Sequence, residues 1–248
     1  MDCRVKPDKD KNGKLFSYFV VPVAIRTNDS MEKYSDRITQ QLAKTPRFHY
    51  PEDEARYPWL SILLDAYHLT DAGIEIELAE EIKRRNQQPG CHRGCLNCCL
   101  KANVPISQLE RAGIAWFVTA KLSGDARRIL EDQLQWHKDI PHCPFIVDSL
   151  CSIYPVRPLA CRIFYVFGTP CESASSIGTT RKADIWTHSR DLARRVAMII
   201  LPFYGIKAKA EKIKAFKEGF IFKQMMLLRS EPWEEVAMRM LELDEKTG

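Results

Sequence analysis

The stretch Cys91-His92-Arg93-Gly94-Cys95-Leu96-Asn97-Cys98-Cys99 packs four thiols into nine residues, a density of sulfur that packing alone does not call for. Four more, Cys143, Cys151, Cys161 and Cys171, follow in one later stretch, and only Cys3 of the nine cysteines stands apart. Structural zinc sites place cysteine pairs two to four residues apart, because a tight turn can aim two sulfurs at one ion about 2.3 Å away. Cys91 with Cys95, and Cys95 with Cys98, meet that spacing, and Gly94 supplies a residue that bends easily. The eight clustered cysteines therefore read as ligands, sent by two distant loops to a common inorganic centre. Iron–sulfur clusters also use closely spaced thiolates, so zinc, iron or an iron–sulfur cluster fits the donors, with zinc ahead on ligand chemistry.

Adjacent Cys98 and Cys99 add a constraint. Neighbouring side chains in an extended segment point in opposite directions, so both reach one ion only if the backbone turns sharply; otherwise they serve two. Four thiolates around a divalent ion leave a formal charge of about −2, and eight around two leave about −4, so compensating cations are needed. Arg93, Lys101, Arg157 and Arg162 lie beside the cysteines, and the last two are assigned that role behind the sulfurs.

Other uses of the cysteines fit less well. A secreted disulfide scaffold would need an export signal. The apolar run Leu15 to Ile25 is preceded by Asp2, Asp8 and Asp10, interrupted by Pro22, and runs into Arg26-Thr27-Asn28 with no small-residue cleavage site. No run reaches the roughly 18 apolar residues of a membrane span. The expected setting is a reducing cytoplasm, where clustered cysteines are more often metal ligands or redox groups than bridges. A nucleophilic dyad would have to pair Cys143 with His142 or Cys91 with His92, and sequence neighbours rarely make one. Those histidines read as bystanders or outer hydrogen-bond donors, with direct ligation the alternative.

The rest of the chain predicts helices. Residues 1–14 look like a mobile terminus, and Leu15 to Ile25 has strand-like composition despite Pro22. Ser30 is placed to cap a helix to about Ala43, followed by a loop from Thr45 to Pro58. Leu60, Leu63, Leu64 and Tyr67 share a helical face, and Thr70-Asp71 would start a second run through Ile74, Leu78 and Ile82, ended by Pro89-Gly90. Ser107-Gln108-Leu109-Glu110 is a capping box for a helix to about Leu122, and another is expected from Asp125 to Trp136. Prolines exclude a long helix from 141 to 171, and helical patterning resumes from Arg181, with Pro232 starting a last helix through Leu243. Lys207, Lys209, Lys212, Lys214 and Lys217 read as a solvated helix face rather than a nucleic-acid patch, and a net charge of +5 names no partner. The expected organisation is mainly α: a terminus (1–14), a mostly helical region (15–87), a cysteine-rich metal-binding region (88–175) and a C-terminal helical region (176–248), in one compact domain.

The arrangement Gly94-Cys95-Leu96-Asn97-Cys98-Cys99, then Cys143-Pro144-Phe145-Ile146, Cys151-Ser152-Ile153-Tyr154 and Arg157-Pro158-Leu159-Ala160-Cys161-Arg162, resembles the YkgJ-type cysteine-cluster family. Its motif is written CxxCxxCC, and the family is described as zinc- or iron-chelating. The likeness covers about a third of the chain and departs at Cys91, three residues rather than two before Cys95. It implies that Cys91, Cys95, Cys98, Cys99, Cys143, Cys151, Cys161 and Cys171 bind metal, and it assigns no reaction or catalytic residue. Flagellin lysine-N-methylases share a similar cysteine pattern, which makes an iron–sulfur-dependent enzyme or redox sensor the alternative. No Gly-rich nucleotide-binding loop supports methyl transfer.

Overall fold

The computed structural model describes residues 28–92, 94–100, 104–170 and 181–247. Cys3, the expected strand Leu15 to Ile25, Arg93, Lys101 and Cys171 lie outside the described residues. The chain is mainly α, as expected. Helices α1 (Asn28–Leu42), α2 (Pro51–Arg56) and α3 (Pro58–Arg85) come first. Strand β1 (Pro105–Ile106) leads into α4 (Gln108–Ala120) and α5 (Gly124–Gln135). A short hairpin of β2 (Ile146–Val147) and β3 (Leu150–Cys151) precedes α6 (Leu159–Arg162). Then come α7 (Arg190–Ile200), α8 (Lys209–Lys217), α9 (Phe220–Lys223), β4 (Met226–Leu227) and α10 (Trp233–Thr247).

Helix α3 is the axis, and α1, α2, α4, α6 and α7 all pack on it. Its buried residues, among them Leu60, Leu64, Tyr67, Ala72 and Ile76, go all the way round, as a helix enclosed by others requires. The expected break at Thr70-Asp71 is absent. Thr70 turns its hydroxyl back to the Ala66 carbonyl at 2.7 Å instead of capping, so one helix of 28 residues runs through. It stops at Asn86, whose left-handed φ of 52° ends the turn before Pro89 is reached, with Lys83, Arg84 and Arg85 at its negative end. Two further boundaries differ from expectation. Pro51 and three acidic residues in the first turn make α2 inside the presumed loop, and α1 begins two residues before Ser30.

On the other flank α10 packs against α4 and α5, and Trp233 fills the gap. Its ring meets Phe145 edge-on at 4.9 Å and its indole N–H donates to Leu228 O at 2.6 Å. The antiparallel pair β1–β4 ties the start of α4 to the C-terminal segment. Lys207, Lys209, Lys214 and Lys217 are exposed on and before α8, as a solvated face would be.

Two buried glutamates join the helix starts. Glu77 of α3 accepts from Tyr34 Oη (2.5 Å) and from Ser189 N–H (2.7 Å), the residue that caps α7. Glu110 completes the capping box of α4, where its Oε2 accepts from Ser107 N–H and Oγ, both at 2.7 Å. Its other oxygen accepts from Leu159 N–H at 2.7 Å, the first residue of α6. Burial raises the Glu110 pKa while these donors and Arg162 pull it down. Replacing Glu110 by Ala leaves three buried donors unmatched and is expected to cost about 2–4 kcal/mol, read as a shift in the urea unfolding midpoint at unchanged slope.

Candidate metal centre

Early in the cysteine region the chain makes a clasp. Gly90 N–H donates to Val166 O at 2.8 Å, Gly168 N–H donates to Gln88 O at 3.0 Å, and Pro89 pairs with Phe167. A side chain at position 90 would put its Cβ 2.6 Å from Thr169 O, so only glycine lets the two segments cross this closely. Beyond the clasp, Gly94 takes a φ of +82° and Cys95 N–H closes a turn onto His92 O. A second turn, in which Cys99 N–H (2.8 Å) and Leu100 N–H (3.1 Å) both reach Leu96 O, winds the backbone tightly. Adjacent Cys98 and Cys99 thus lie on one side, with their sulfurs 4.0 Å apart.

The late cysteines meet that pair through the main chain. Cys143 N–H donates to Cys99 O at 2.8 Å, across more than forty residues of sequence. Cys143 then begins the hairpin, in which Ile146 faces Cys151 and Asp148 and Ser149, with φ of 49° and 60°, make the two-residue turn. Ser152 clips the far end by donating N–H and Oγ to Phe145 O. Cys161 sits in the single turn of α6, whose first amide is held by Glu110.

Electrostatics ties four of these thiols together. The Cys143 thiol is pushed up to about 12, by burial first and then by Cys151 and Cys98, against the Phe145 amide and Arg229. Cys161 is raised well above the usual thiol value by burial, then by Cys143, Cys151 and Cys98. Cys151 is raised by burial and by Cys98, with the Ile153 amide, Arg157 and Arg162 opposing. Cys98, which reaches the surface, is raised most directly by its contact with Cys99. The chain therefore gathers Cys98, Cys99, Cys143, Cys151 and Cys161 into one neighbourhood. Cys91 stands on the clasp side, its sulfur accepting Val166 N–H at 3.4 Å, and Cys95 lies in the turn closed onto His92 O. Among the described residues, no three His, Cys, Asp or Glu side chains are close enough to hold a metal ion as they stand.

The cations differ in use. Arg162 is buried, stacked 4.1 Å from the Tyr67 ring centre, and bonded to Asp71 (2.6 Å), Pro155 O (2.6 Å) and Arg157 O (3.0 Å). It thereby fixes the turn before α6 from α3. Arg157 lies 4.5 Å from the Tyr154 ring. Arg229, far along the chain, donates to Ile140 O at 2.5 Å and lowers the Cys143 pKa; nothing in the sequence marks it. His92 and His142 each turn Nδ1 to a nearby carbonyl, Gly90 O at 3.3 Å and Cys143 O at 3.0 Å. The chemistry open to this set is soft-metal ligation, since a bound cation offsets the repulsion that crowded thiolates would otherwise suffer when they lose their protons.

Comparison with known proteins gives one match. No curated protein and no solved structure matches the chain. Residues 90–183, less than half of it, match the family model CxxCxxCC, described as "Putative zinc- or iron-chelating domain". The clasp at Gly90 opens this match, and the five-thiol neighbourhood and α6 fall inside it. Residues 90–183 are thus similar to the CxxCxxCC family of zinc- or iron-chelating domains, the likeness that the cysteine spacing led one to expect.

Proposed function

We propose that this protein holds zinc or iron through Cys91, Cys95, Cys98, Cys99, Cys143, Cys151, Cys161 and Cys171, and that the metal serves the structure. The observation that carries the reading is the bond from Cys143 N–H to Cys99 O, which sets the early pair beside the late thiols. When bound, the ion supplies sulfur–metal bonds that cross-link segments more than forty residues apart, and that binding energy is folding energy. The chain's own residues prepare for it: Glu110 positions α6, Arg162 braces the turn before it, and Arg157, Arg162 and Arg229 offset thiolate charge. Zinc leads because it suits several thiolates and needs no redox partner. The seven described cysteines are all free thiols, in keeping with a reducing, cytoplasmic setting.

Elemental analysis and an absorption spectrum of anaerobically purified protein test the metal. Colourless protein with stoichiometric zinc is expected; a broad visible band that bleaches on reduction would replace zinc by an iron–sulfur cluster, and metal-free protein after metal-replete preparation would end the proposal. Cys98→Ser and Cys161→Ser should each weaken metal binding by at least about tenfold and lower the melting temperature, whereas Cys3→Ser should change neither.

Affinity should also depend on pH in a particular way. The Cys143 thiol is raised from the usual 9.0 to about 12, so it is protonated at neutral pH and the ion must displace that proton. Chelator competition should show affinity climbing from about pH 7 to about pH 10, without the levelling near pH 9 that ordinary thiols would give.

A further inference from the structure

Helix α6 has two sides. Cys161 serves the thiol neighbourhood, while Leu159, Ala160 and Ile163 line an apolar cavity of about 90 Å³, open at one side. The opposite walls are α7, through Leu192, Ala193 and Val196, and the α8–α9 segment, through Phe216, Phe220 and Phe222. Phe222 is 43% exposed and sits at the mouth. An apolar space with one open side suits a slender apolar chain rather than a bulky ligand.

The polar groups on its wall define what fits. Thr70 has its hydroxyl committed to Ala66 O, and both oxygens of Glu110 are taken by Ser107 and Leu159. His188 is an uncharged imidazole, its pKa held down to about 4 by burial. Among the described residues, no Lys or Arg lines the cavity. An anionic head would therefore meet no cation and would face a buried carboxyl group, and burying an unpaired charge is strongly unfavourable.

We propose that this cavity is a binding site for a neutral, mainly apolar small molecule carrying at most one hydrogen-bonding head, of the alkyl alcohol class rather than the fatty acid class. The assignment does not depend on which metal the thiols take. 1-Octanol and octanoate, equal in chain length and different in charge, separate the two classes.

Titration calorimetry on the metal-replete full chain should show saturable binding of 1-octanol near one per chain, with octanoate at least about tenfold weaker. Ala193→Phe places a ring in the cavity from a half-buried position and should weaken 1-octanol by at least about tenfold, with metal content and circular dichroism unchanged. Phe222→Lys, at the exposed mouth, leaves the core intact and should raise the affinity for octanoate relative to 1-octanol. No saturable 1-octanol binding, octanoate binding as tightly as the alcohol, or a folded Ala193→Phe protein that binds it undiminished overturns the proposal; should Ala193→Phe not fold, an octanoate-to-octanol ratio unmoved by Phe222→Lys does so. Metal content measured alongside separates failure of this site from failure of the metal reading.

Discussion

A single buried carboxylate governs where the thiol region can be. Helix α6 is four residues long and far too short to be stable alone, so Cys161 is only as well placed as whatever fixes that turn. Glu110 fixes it from a helix of the main core: one oxygen serves the start of α4, the other the first amide of α6. Removing a carboxylate from water is unfavourable unless donors meet it, and here three donors do. The same device recurs at Glu77, which joins α1 and the start of α7 to α3. Loops that carry sulfur are thus referred to the helical scaffold by charge-assisted hydrogen bonds as well as by the apolar contacts of Phe145, Ile153 and Val156.

Arginine completes this referral. A guanidinium offers several donors in a fixed plane, and Arg162 uses them on Asp71 of α3 and on the carbonyls of Pro155 and Arg157 while stacking on Tyr67. Its charge then acts on Cys151 without a direct hydrogen bond to the sulfur. A buried cation held in this way is both a brace and a fixed source of positive potential, two tasks that a mobile lysine would perform less well.

Much of this was legible in the sequence, but only what is local. The capping box at Ser107 and Glu110 was readable because its partners are three residues apart. The turn that sets Cys98 beside Cys99 was open to either outcome, and the Leu96 carbonyl decides it. The second bond of Glu110, to Leu159, was hidden because nothing in a helix-start pattern announces a partner 49 positions away. Arg229 was invisible for the same reason. The break expected at Thr70-Asp71 failed because a threonine hydroxyl can satisfy itself on the preceding turn, so residues that cap one helix can ride inside another. Eight cysteines could be grouped from spacing, yet spacing carries no information on which side of the clasp each one falls.

The clasp at Gly90 bears on how readily an ion is captured. Bringing two remote stretches of chain together carries an entropic penalty that grows with the intervening length. By fastening the segment around Gly90 to that around Val166, the protein has met part of that penalty before any ligand arrives. Pre-organisation of this kind raises apparent affinity without adding a contact to the bound species. The tightness of capture would then be set partly by a glycine that carries no donor atom in its side chain.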